Sequence, residues 1–181
     1  GMFWKHIEPN MTPRLTAAVE ACYTAFAGYR LWGNIVACHC NSCMTEETEK
    51  ELVRTPLRQI STELLSEYTN SAHGYDTDVI EHEFKYFLPR YLDLIAHCKP
   101  PHYMDSNTCL HRLGDANFRA AWPRHEVEAV DECLDAFVEA CLSQIGLAQW
   151  PVGWRLEFEI NDVIVMIATA RGDVERALAT W

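Results

Sequence analysis

The stretch WPRHEVEAVDECLDAFVEACLSQIG, residues 122–146, sets Val127, Val130, Leu134, Phe137, Val138, Cys141 and Leu142 on one face of a helix. It is the longest sustained 3.6-residue period in the chain, opened by Trp122-Pro123 and ended by Gly146. A second amphipathic stretch begins with Asp78 and Glu81 in a D-x-x-E capping arrangement and runs through Ile80, Phe84, Phe87, Leu88, Tyr91 and Ile95. Pro89 lies inside it and has no backbone N–H to give, so a kink or a division into two helices is expected there. Lys99-Pro100-Pro101 closes the segment.

Shorter helices flank these two. Leu15, Val19, Cys22, Tyr23, Phe26 and Tyr29 recur at helical spacing over about 13–30, after an irregular, proline-punctuated start at 1–12. Thr45 offers an N-cap, with Glu46, Glu47 and Glu49 where carboxylates favour the helix dipole, and Ser61 opens another short helix. Residues 31–44 (LWGNIVACHCNSCM) read as a connector. Farther on, Leu156, Phe158 and Ile160 alternate as in a strand, so a β-hairpin competes there with a helix capped by Asn161-Asp162. Helix is the preferred reading. The expected architecture is all-α, a single domain over 1–181 of about seven to nine short-to-medium helices, arranged as a bundle or an irregular array. Gly1 before Met2 is set aside as a cloning remnant.

Composition sets limits on function. The 181 residues are 49% hydrophobic and 23% charged, enough for a sizeable core. The formal net charge of −11 repels a phosphate backbone, which argues against nucleic acid as partner. No apolar run is long enough for a bilayer and no leader precedes the helices, so a cytoplasmic protein without membrane contact is expected.

Cys40-Asn-Ser-Cys43, Thr55-Pro56-Leu57-Arg58, Phe84-Lys-Tyr-Phe87-Leu88-Pro89-Arg90, Leu113-Gly114 and Trp122-Pro123 follow one another in order, with Trp181 at the end. In order and spacing they resemble a family of small bacterial helical proteins without an established activity. The resemblance spans roughly residues 38–181. It implies a helical fold and assigns no catalytic residue. This chain adds Cys38 and His39 ahead of the C-x-x-C, which leaves the number of thiols or ligands in the local site open.

Of the 8 cysteines, Cys22, Cys133 and Cys141 fall within helical apolar patterns and read as small buried hydrophobes. Cys38, His39, Cys40 and Cys43 bring three thiols and an imidazole together, and C-x-x-C is the spacing that lets two thiolates share one zinc ion. A four-ligand site closes locally or takes His97, Cys98, Cys109 or His111 from a distance. Free, partly buried thiols are the plainer reading and zinc the second. Thiol redox ranks third, because no β-α-β pattern surrounds the motif and the following glutamates disfavour a thiolate.

Other candidates are weaker. His82-Glu83 is not a metalloprotease motif, since Tyr86 stands where the second histidine belongs. Asp78, Glu81, His82 and Lys85 read as the wet face of their helix, and Glu128, Asp131, Glu132, Asp135 and Glu139 as a solvated stripe. The arginines, Arg90 beside Pro89 above all, are expected in ion pairs. Phosphate-binding, dinucleotide-binding, nucleophile-elbow and kinase motifs are absent. The expectation is a non-catalytic protein acting through protein contacts, with an unknown partner or as a homodimer, and with Trp4, Trp150, Trp154 or Trp181 as interface anchors. A zinc protein built on the cysteine cluster is the alternative.

Overall fold

Thr12 starts the helical body: its side chain accepts the Leu15 amide proton at 3.1 Å, and Pro13 opens the first helix. This helix belongs to a computed structural model that describes residues 5–7, 11–33, 35, 43–71, 77–102, 109–147, 154–156, 165–168 and 173–180. α1 (Pro13–Ala25) buries Leu15, Ala18, Val19 and Cys22. α2 (Glu46–Arg54) is capped by Thr45, with carboxylates in its first turn and Arg54 in its last. A single 3₁₀ turn (Leu57–Gln59) leads to α3 (Thr62–Asn70), capped by Ser61 as its sequence predicts.

α4 (Thr77–Ala96) runs through Pro89 as one helix, so of the kink or division expected at that proline the division does not occur. Apolar residues buried on both sides of Pro89, from Phe84 to Ala96, hold the helix together across the missing backbone donor. It ends in a Schellman arrangement. Lys99 N–H reaches Leu94 C=O at 2.8 Å and Cys98 N–H reaches Ile95 C=O at 2.9 Å, with Cys98 in the left-handed position at φ 58°. Two short helices follow, α5 (His111–Asp115) and α6 (Phe118–Ala121), then α7 (Arg124–Leu147). Residues 165–168 form a helical turn, α8, and α9 spans Val174–Thr180.

The protein is all-α, with α1 packed on α4 and α7, and α9 resting on α7. One contiguous core joins Leu15 on α1, Leu65 on α3, Phe87 and Tyr91 on α4, Phe118 on α6, Phe137 on α7 and Met166 on α8.

Two short strands qualify the sequence reading at both ends. β1 (Lys5–Ile7) pairs in parallel with β2 (Trp154–Leu156), in the register Lys5↔Trp154 and Ile7↔Leu156. Thus the start is not irregular throughout, and Leu156 lies in a strand paired with β1, while Phe158 and Ile160 lie outside the described residues. Parallel strands need a crossover between them, and here the helical body supplies it. Among the described residues no helix is long and apolar enough to cross a membrane.

Candidate functional site

Of the predicted metal ligands, Cys38, His39 and Cys40 lie outside the described residues. Cys43 is half-buried two residues before the α2 cap. The proposed distant ligands do not converge. Cys98 is buried as the left-handed cap of α4, and its neighbour His97 is exposed, with Nδ1 2.8 Å from Asp93 C=O. Cys109 sits in the core 3.7 Å from the sulfur of Met166, and burial pushes its pKa up to about 12. His111 is half-buried at the start of α5. No group of three or more His, Cys, Asp or Glu residues capable of holding a metal ion occurs among the described residues. Of the tryptophans named as anchors, Trp4, Trp150 and Trp181 also lie outside them, and Trp154 is placed only by the backbone of β2.

A different cluster stands out where the end of α1, the middle of α4 and the start of α7 meet. Lys85 of α4 and Glu126 in the first turn of α7 are 7% and 2% exposed, and Nζ lies 2.7 Å from Oε1. Tyr29, beyond the end of α1, donates its hydroxyl to Glu126 Oε2 at 2.5 Å and accepts from Lys85 Nζ at 3.0 Å. The ammonium also stands 4.4 Å from the centre of the Trp122 ring, within cation–π range. Trp122 donates its indole N–H to Glu81. Next to this group, His82 meets Tyr29 edge-on, at a centroid distance of 5.0 Å. On it lies Trp32, stacked at 4.3 Å with 20° between the rings and still 66% exposed.

This arrangement overturns the wet-face reading of α4: Asp78 is exposed, whereas Glu81 and His82 are half-buried and Lys85 is enclosed. Burial alone pulls the Lys85 pKa down, but hydrogen bonds to Glu126 and Tyr29 together with the Glu126 charge outweigh it, and the net direction is up. Burial, then the hydrogen bond to Glu126, raises that of Tyr29. At neutral pH both groups therefore keep their protons, and neither is a ready base or nucleophile. The cluster joins three helices and holds one indole outward.

Two further polar groups are structural. Arg112 of α5 donates to the carbonyls of Tyr68 and Ser71 at 2.7 and 2.8 Å, closing the C-terminal end of α3, and its guanidinium lies over the Tyr68 ring. Tyr68 in turn donates to buried Glu83 at 2.9 Å. Arg90 has the specific partners its position predicts, namely Ile60 C=O at 2.8 Å and Asp93 at 3.0 Å.

No protein-family model matches the chain, and no curated protein and no solved structure matches it significantly. The fold and the cluster therefore define the class directly, an all-α protein with a buried lysine–glutamate junction under an exposed, stacked tryptophan.

Proposed function

We propose that this chain is a non-catalytic, cytosolic helical protein that works through protein contacts, with Trp32 as the anchor of its contact surface. The observation that carries this reading is the state of Trp32, 66% exposed yet stacked on His82. Tryptophan is the residue most enriched among interface hot spots, and an indole already held in place loses little conformational freedom on binding. The ring below it is fixed as well, because Tyr29 contacts His82 and is itself bound to Glu126 and Lys85. The partner is a protein, a second copy of the chain included.

Trp32→Ala tests this. Since the indole is mostly in water, its removal should leave Tm within about 2 °C of the parent. Self-association in light scattering, or a partner held in affinity capture, should be lost. A monomeric parent whose captured proteins are identical to those of Trp32→Ala would overturn the reading.

A further inference from the structure

Cys22 of α1 and Cys133 of α7 are 0% and 2% exposed, and they lie on facing helices. Small residues recur on both helices: buried Ala18 and Cys22 on one, and Ala129 with buried Cys133, Ala136 and Ala140 at steps of four, three and four on the other. Small residues at a helix crossing let the backbones come close. The closeness is visible in one contact, for the Cys22 thiol donates to the Ala129 backbone carbonyl of α7 at 3.3 Å. Ala129 lies one turn before Cys133, so its carbonyl is the one that accepts the Cys133 N–H within α7. Side chains of a helix lean toward its N-terminus, which carries the Cys133 sulfur back toward Ala129 and hence toward Cys22. In agreement, a hydrogen bond with Cys22, followed by burial, holds the Cys133 pKa well above that of an ordinary thiol.

We propose that Cys22 and Cys133 are an oxidisable pair that closes into a disulfide between α1 and α7 when the protein meets hydrogen peroxide. One thiol, as thiolate, attacks a peroxide oxygen, giving a sulfenic acid and one water. The second thiol attacks the sulfenic sulfur and releases another water. Two thiols give up two electrons and two protons, and one peroxide becomes two waters. Burial and the raised Cys133 pKa make the reaction slow, because peroxide reaches the pair and a thiolate forms only when α1 lifts from α7. The product ties together two helices far apart in sequence, so it restrains a loop of roughly 110 residues in the unfolded chain.

The experiment is peroxide treatment of the folded protein, followed by peptide mass spectrometry without reduction. A Cys141→Ala background keeps the Cys133 peptide unambiguous. A linked species joining Cys22 to Cys133, two hydrogen masses lighter than the separate peptides, is expected as the main disulfide. It should raise Tm by about 5–10 °C over the reduced form. Adding Cys133→Ala should remove both effects. Should that variant fail to fold, the parent still decides the matter. Sulfinic acid at either cysteine without the 22–133 link, or a link that forms only in denaturant, would overturn the proposal.

Discussion

α7 carries two kinds of ion pair that differ in their access to water. In water, Glu132 and Glu139 meet Arg14 of α1 and Glu128 meets Arg124 one turn away, while Asp131 with Arg119 of α6 and Asp135 with Arg176 of α9 are intermediate, their carboxylates 11% and 12% exposed against half-exposed arginines. At its first turn Glu126 meets Lys85 with almost no solvent. The chemistry is alike, yet the energetics are opposite in kind. An exposed pair gains little over its hydrated ions, whereas a buried pair becomes costly once one partner is gone. Position relative to solvent, rather than the number of pairs, identifies the charges that hold the fold.

Glu126→Ala should break this contrast most sharply, since it leaves the Lys85 ammonium enclosed without a counter-charge. A loss of about 3–5 kcal/mol in urea unfolding is expected, with much of it recovered by Lys85→Met/Glu126→Leu. A single variant within 1 kcal/mol of the parent, on the order of an exposed pair, would erase the distinction. The same pair has an alkaline signature. Because the folded-state pKa of Lys85 is raised, its contribution is complete below the ordinary lysine value of 10.5 and lost as pH climbs through the folded value. The stability gap between parent and Lys85→Met should therefore narrow above that pH, and a gap that widens would contradict the sign.

Next in size is Arg112→Ala, which strips the C-terminal carbonyls of α3 of a charged donor. About 2–3 kcal/mol should be lost, accompanied by faster amide exchange in α3. Arg14→Ala should cost about 1 kcal/mol or less, and less still in high salt. Since the hydrogen bond from Arg14 lowers the Glu132 pKa, that small difference is present above the ordinary carboxylate range and disappears as pH falls through the folded value. Arg124→Ala should produce no measurable change, because its guanidinium is 91% exposed.

Periodicity made α7 and α4 legible, and side-chain chemistry did the same for the caps at Thr45 and Ser61 and for Cys22, Cys133 and Cys141 in the core. The stripe on α7 reads as solvated because its arginines come from Arg14, Arg119 and Arg176, and only the tertiary fold brings them there. Lys85 and Glu126 are misread when charge is equated with water. Their phase tells otherwise, since Lys85 lies three and seven residues before Leu88 and Leu92, and Glu126 four and eleven before Val130 and Phe137. Trp32 has no such signal, as it stands in a connector beside Gly33 with no repeating pattern around it. Of the local cluster on which the zinc expectation rested, Cys38, His39, Cys40 and Cys43, only Cys43 lies within the described structure.

The packing of α1 on α7 has a consequence for synthesis. About 100 residues separate the two helices, so a ribosome adding roughly 5–20 residues per second delivers α7 some 5–20 s after α1. Through that interval Leu15, Val19, Cys22 and Phe26 have no α7 to cover them. For those seconds the side of α1 that α7 later covers is an apolar helix face without its partner.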